Sequence, residues 1–183
     1  NGTDFHGWQI QPNGNTIQQE LCNAFKNLSG NDENIIGCSR TDSGVHANMF
    51  CCNVRTECTV PTSKISDALN FYLPTQIAVY GCEEVDFDFH ARYDCKGKEY
   101  VYLIYNGKHR NPFYENRAMF YPYEIDAEML NCEAKSFIGV HDFSAFCSAG
   151  SEIQDKTREI YDCEVSQNGD LVEIRVSGNG FLY

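Results

Sequence analysis

The chain has 183 residues, 42% apolar and 22% charged, a composition that supports a folded core in one large domain or two small ones. No apolar run approaches the roughly 20 residues a membrane-spanning helix needs. The opening Asn1-Gly2-Thr3-Asp4-Phe5-His6 lacks the basic and apolar regions of a secretory leader, so a cytoplasmic protein with no membrane partner is expected. A formal net charge of -12 argues against general affinity for nucleic acid, which draws on Lys and Arg contacts to phosphate. The charge is uneven, however. Between Arg92 and Arg117 lie six basic residues (Arg92, Lys96, Lys98, Lys108, Arg110, Arg117) against three acids (Asp94, Glu99, Glu115). That segment is either a basic face on an acidic protein or an ordinary solvated loop. The 10 cysteines are scattered, with no C-x-x-C pair and no histidine pair at ligand spacing. They are expected to be reduced, buried, small apolar residues, and no metal site is expected.

In chain order, a first helix is predicted from Thr16 to Leu28, with Ile17, Leu21, Ala24, Phe25 and Leu28 on one stripe. Thr16 and Gln19 match a capping box and Gly30 supplies the stop. Strands are predicted at Ile35 to Ser39 and Asn48 to Arg55, separated by the polar turn Arg40-Thr41-Asp42-Ser43-Gly44. A second helix, capped by Thr62 or Ser63, carries Ile65, Ala68, Leu69 and Tyr72 on one side and closes at Pro74, and Ile77 to Tyr80 reads as a strand. A second set of elements begins near Asp86 with strands at Phe89 to Tyr93 and Glu99 to Tyr105. The latter is apolar or aromatic on both faces and therefore central. Asp126 caps a helix reaching Ile138, with Met129, Leu130, Ala134, Phe137 and Ile138 as its buried stripe. Strands at Thr157 to Ser166 and Leu171 to Ser177 follow, joined at Asn168-Gly169, a strong hairpin signal. The mixture lacks regular βαβ alternation, so the fold class is α+β, divided into 1–85 and 86–183. Ser151 and Lys156 fall in a polar stretch with the composition of a mobile loop.

In Gly37-Cys38-Ser39-Arg40-Thr41-Asp42-Ser43-Gly44-Val45-His46-Ala47, Arg40 and Asp42 are two residues apart, so in an extended segment their side chains leave on the same side and can pair. A guanidinium beside a carboxylate keeps it ionised and fixes its direction, which suits a nucleophile rather than an acid. The same residues also describe an ion pair beside a turn, since Thr-Asp-Ser-Gly is good turn chemistry.

The segment resembles the signature G-R-T-D-[AS]-G-V-H-A of the TruA-type tRNA pseudouridine synthases. It is accompanied, in order, by blocks similar to that family's other patterns: Asn1 to Gln11, Leu73 to Val79, Asp88 to Arg92, Lys98 to Tyr102, His141 to Phe146 and Ser177 to Tyr183. The family pattern begins before Asn1 and continues past Tyr183 into a helix bearing N-M-V-R, whose Arg belongs to the active site, so the chain reads as truncated at both ends. The resemblance implies two similar ferredoxin-like subdomains sharing an antiparallel sheet with an active-site cleft between them. It further implies a homodimer acting on the anticodon stem-loop of tRNA without metal or cofactor. Asp42 matches the nucleophile and Arg40 the arginine that holds it. Tyr100 matches the tyrosine that stacks on uracil, with Tyr102, Arg92, Lys98 and His46 as further substrate-binding candidates. His46 and His141 read as structural or RNA-contacting rather than acid-base groups, and Tyr100 also fits an ordinary sheet aromatic. Two rival readings are an RNA-binding module without catalysis and an unrelated hydrolase using Asp42.

Overall fold

The computed structural model describes residues 1–148, 150 and 153–182. Ser151 and Tyr183 lie outside the described residues. The chain divides into two compact units, Asn1–Cys95 and Lys96–Tyr183.

In the first unit, helix α1 (Ile17–Ser29) forms because Thr16 stops one end and Gly30 the other. The Thr16 hydroxyl accepts the Gln19 N–H at 3.3 Å, a cap worth about 1 kcal/mol. Only half of the expected capping box forms, since the Gln19 amide donates instead to Asn23 Oδ1 at 2.9 Å. Gly30 adopts φ +81°, and its N–H closes on Lys26 O at 2.8 Å. The buried face is Gln18, Leu21, Ala24 and Phe25. Two short antiparallel strands, β1 (Ile35–Gly37) and β2 (Cys52–Val54), pair Ile35 with Val54 and Gly37 with Cys52. They are shorter than expected, because chain on either side of the turn is drawn into contacts with residues 2–8. Helix α2 (Thr62–Tyr72) has Pro61 at its cap without a side-chain bond, and Thr62 donates to Glu84 instead of capping. Trp8, Leu21, Ala24, Phe25, Ile35, Ile65, Leu69 and Leu73 make the core, with Phe50 stacked on Trp8 at 4.4 Å.

Two expected strands are absent from this unit. At Ile77 to Tyr80, Asn70 stands in for a partner strand: its amide donates to Val79 O at 2.8 Å and accepts the Val79 N–H at 2.7 Å. Residues 89–93 instead form turns, in which His90 O accepts the N–H groups of Tyr93 and Asp94 and the Asp94 carboxylate accepts the His90 N–H.

The second unit holds a five-stranded sheet in the order β4-β3-β7-β6-β5, comprising β3 (Lys98–Tyr105), β4 (Met119–Phe120), β5 (Gly139–Asp142), β6 (Thr157–Asn168) and β7 (Leu171–Gly178). Four strands run antiparallel and β4 joins β3 in parallel, so the sheet is mixed. Among the described residues the strands form two sheets, one in each unit, rather than the single antiparallel sheet expected. β3 pairs with β7 along its whole length but with β4 only at Ile104 and Tyr105. It is therefore central at one end only, and Tyr100, Val101 and Tyr102 keep exposed surface. The hairpin between β6 and β7 closes on Gly169-Asp170, with Gly169 at φ +59° and Asn168 paired to Leu171.

Helix α3 (Ala127–Ala134) is capped by Asp126, whose carboxylate accepts the Met129 N–H at 2.9 Å, and tightens into a 3-10 turn over Lys135–Phe137. Of the expected stripe only Ala134 is buried, whereas Met129, Leu130, Phe137 and Ile138 are exposed. The reason is that the helix is fastened to β6 by polar groups: Asn131 accepts the Val165 N–H at 2.9 Å and Lys135 donates to Cys163 O at 2.8 Å. These bonds turn the smaller residues Ala127 and Ala134 toward the core of Ile104, Ile160, Cys163, Val165 and Val172.

Of the 10 cysteines only Cys163 is buried, so the expectation of buried thiols fails. No described helix is long and apolar enough to cross a membrane.

Candidate active site

The turn after β1 is held from behind by the amino-terminal segment. Trp8 N–H donates to Thr41 O at 3.1 Å, Gly44 N–H to Phe5 O at 3.1 Å and the Ser43 hydroxyl to the same Phe5 carbonyl at 3.3 Å. Val45 N–H closes the turn on Asp42 O at 3.2 Å. At its far side Gly2 N–H donates to His46 Nδ1 at 3.1 Å. Contact is close enough to dictate glycine twice. A Cβ on Gly7, which sits at φ +79°, would stand 2.3 Å from Thr41 O, and one on Gly2 would stand 2.0 Å from Val45 O.

The supporting segment is itself tied to α1. Gly7 O and Trp8 O accept the otherwise unsatisfied N–H groups of Ile17 and Gln18 at 3.2 and 3.1 Å. Gln18, buried in the apolar face of α1, donates to Ile35 O at 2.8 Å, while its carbonyl receives the Gln9 amide and the Ile10 N–H. One side chain thus joins helix, strand and supporting loop. The sequence reading passed over Gln18, Gly2 and Gly7. A signal for Gln18 was present, because a glutamine standing three and seven residues before Leu21 and Phe25 interrupts an apolar stripe.

What this frame presents outward is Arg40 and Asp42, both exposed. They form no ion pair among the described residues. The pairing expected from their spacing presumed an extended segment, whereas the strand ends at Gly37, Arg40 lies in irregular chain and Asp42 opens the turn that Val45 closes. The backbone polar groups beside Asp42 are committed, while its carboxylate faces solvent and is open to a ligand. Nearby, Cys52 keeps open surface as a residue, yet its thiol is pushed up to about 12, first by desolvation and then by Cys51, Cys38, Cys82 and Cys22. At neutral pH it is a protonated thiol and no rival nucleophile.

Arg92, half-buried, lies in the first unit on the turn that Asn53 of β2 fastens by accepting the Ala91 N–H at 2.8 Å, and the His90 and Tyr93 rings meet there at 4.2 Å, tilted by 32°. In the second unit Lys98, Tyr100 and Tyr102 alternate onto one face of β3. Tyr100 is 37% exposed and meets Phe181 edge to face at 4.9 Å, and Tyr102 donates to Met119 Sδ at 3.5 Å. The structure thus groups Arg40, Asp42 and His46 around one turn and Lys98, Tyr100 and Tyr102 on one strand face. The block from His141 to Phe146 runs from the end of β5 into a 3-10 turn over Ser144–Phe146: Ser144 donates its N–H and hydroxyl to Asp142, holding that carboxyl below the usual range, and His141 Nε2 meets Ile138 O at 3.0 Å. Among the described residues no group of three or more His, Cys, Asp or Glu stands where it could hold a metal ion.

The profile of the tRNA pseudouridine synthase family matches residues 1–94 and 134–183, which takes in the Asp42 turn with its supporting segment and the β5, β6 and β7 strands. The chain therefore belongs to the tRNA pseudouridine synthase family. It is 44% identical over 182 residues to tRNA pseudouridine synthase A of Caldicellulosiruptor saccharolyticus, spanning all of this chain and 75% of that protein. It is likewise 44% identical over 183 residues to the protein of the same name from Ruminiclostridium cellulolyticum, again covering 100% and 75%. With that of Bacillus pumilus it shares 43% over 184 residues, covering 100% and 74%.

Proposed function

We propose that this chain isomerises uridine to pseudouridine in the anticodon stem-loop of tRNA, acting in the cytoplasm as a homodimer of chains each built on two ferredoxin-like subdomains, with Asp42 as the nucleophile. The observation that carries the assignment is the Asp42 turn: its backbone is locked by the segment 2–8 while its carboxylate stays exposed and joins no ion pair among the described residues. Membership of the family supplies the reaction.

The chemistry asks little else of the protein. The Asp42 carboxylate attacks the ribose anomeric carbon or C6 of the uracil, and the bond between ribose and N1 breaks. The detached base turns, C5 bonds to the anomeric carbon, the carboxylate is released, C5 loses its hydrogen to solvent and N1 gains a proton. Substrate and product are isomers, so no oxidant or group donor is consumed. In this reading Arg40 orients the carboxylate once the nucleotide is bound, and Tyr100 stacks on the base, an interaction worth about 1 to 3 kcal/mol. Tyr102, Arg92, Lys98 and His46 contribute to substrate binding.

Release of tritium from C5-labelled uridine in tRNA tests the assignment, because only pseudouridine formation exchanges that hydrogen. Asp42→Asn should abolish release while leaving tRNA binding and thermal stability near those of the parent. Release within tenfold of the parent would remove Asp42 from the reaction, and parental binding without any release would favour an RNA-binding role alone.

A further inference from the structure

The connection from β3 to β4, residues 106–118, lies outside both stretches matched by the family profile. It is strongly constrained for an exposed loop. Asn111 Oδ1 accepts the Phe113 N–H at 3.1 Å, Pro112 opens a 3-10 turn that ends at Tyr114, and Tyr114 O accepts the N–H groups of Arg117 and Ala118 at 3.0 Å. Asn116, at φ +59°, reverses the chain. The Tyr114 ring stacks on Tyr105 of β3 with centroids 5.1 Å apart and planes 23° apart, which anchors the loop to the sheet.

This scaffold displays an unusual set of side chains for an acidic protein. Lys108, Arg110 and Arg117 are exposed, and none of the three joins an ion pair among the described residues, although the chain carries 26 acidic residues against 14 basic ones. Phe113 stands among them at 89% exposure, the highest of the large hydrophobic side chains described. Three cations against the single Glu115 leave the loop positive on an acidic chain, and a polyanion that also carries aromatic bases answers both that charge and the exposed ring. Cations that reach phosphates, interleaved with an aromatic face that accepts any base, are the two ingredients of single-stranded nucleic-acid binding.

We propose that the β3–β4 connection is an RNA-binding surface of the second unit, in which Lys108, Arg110 and Arg117 contact phosphates and Phe113 stacks on an unpaired base. This rests on the reading that the substrate is tRNA, and it adds a contact that the Asp42 turn does not supply. Binding to unmodified tRNA is measured by fluorescence anisotropy across a salt series for the whole chain, for the triple variant Lys108→Gln, Arg110→Gln, Arg117→Gln, and for Phe113→Ala. A control triple variant, Lys26→Gln, Lys64→Gln, Lys135→Gln, removes the same charge elsewhere. The loop triple variant should bind at least about tenfold more weakly at low salt, with the slope of log affinity against log salt flatter by about two units. Phe113→Ala should weaken binding about fivefold or more at unchanged slope. Thermal melting should leave the loop triple variant and Phe113→Ala near the parent, because the substituted side chains are exposed, while the control loses the Lys135 bond to Cys163 O and with it some stability. Parental affinity and slope in the loop triple variant, or equal weakening in the control, overturns the proposal. Asp42→Asn separates the two readings: full activity in that variant together with weakened binding in the loop variant removes the catalytic assignment and leaves the surface.

Discussion

Three glycines of the first unit share nearly one φ and differ in what surrounds them, which makes Gly7→Ala a calibrated test of how the Asp42 turn is held. Gly7 and Gly44 adopt φ +79° and Gly30 φ +81°, all in the left-handed region. An added Cβ at Gly44 or Gly30 would meet nothing within 4 Å, so each substitution costs only the backbone strain, about 1 to 2 kcal/mol. At Gly7 the same strain is joined by a contact 2.3 Å from Thr41 O and 3.0 Å from Asp42 C. Reaching an ordinary 3.4 Å requires the turn to retreat by about 1 Å, since 3.4 less 2.3 is 1.1. The bond from Trp8 N–H to Thr41 O is strained in the process, adding about 1 kcal/mol to the loss of stability. A displacement of that size at a reacting group costs on the order of 100-fold in turnover. Melting curves and tritium release are measured for all three variants. Gly30→Ala should lose stability with near-parental turnover, whereas Gly7→Ala should lose turnover about 100-fold beyond it. If Gly7→Ala turns over within tenfold of Gly30→Ala, residues 2–8 do not position Asp42 and the reasoning is wrong.

Three further outcomes follow from the same contacts. An asparagine places its amide oxygen near the position of His46 Nδ1, so His46→Asn should keep most turnover by accepting the Gly2 N–H, and His46→Gln should lose it. The reverse order would show that the ring acts through Nε2 instead. Gln18→Leu removes a buried donor and leaves Ile35 O unsatisfied, which should lower stability in urea by about 1 to 3 kcal/mol, and a change under about 0.5 would mean the amide is not a structural link. With its thiol pushed up to about 12, Cys52 is protonated throughout the neutral range. Its labelling by iodoacetamide should rise about tenfold per pH unit through the mildly alkaline range, and a plateau there would show that the thiol ionises far lower.

Where structure is decided by neighbours in sequence, the sequence was readable. Thr16 and Gly30 bracket α1 as expected, and the β6–β7 hairpin appears within a residue of its predicted turn. Where one side chain replaces a backbone partner, it was not. Ile77 to Tyr80 has strand composition, but Asn70 satisfies both polar groups of Val79 and no ladder is needed. For α3 the apolar stripe was real and its direction was wrong, because Asn131 and Lys135 anchor the opposite side to β6. The Asp42 turn was legible as a motif, whereas the parts that hold it were not, since Gly2, Gly7 and Gln18 act through backbone contacts with residues far along the chain.

That division bears on how the site works. Here position comes from main-chain bonds at Thr41, Asp42 and Gly44, and from the Gly2 bond to His46, none of which touches the Asp42 carboxylate. The turn can therefore be rigid while no described partner engages the carboxylate, and in the proposed reaction Arg40, two residues away and also exposed, would pair with it only when a nucleotide displaces water from both. On this account Arg40→Lys, which keeps charge but loses the planar fork, should affect turnover more than tRNA affinity, because the guanidinium matters to the geometry of attack rather than to holding the RNA.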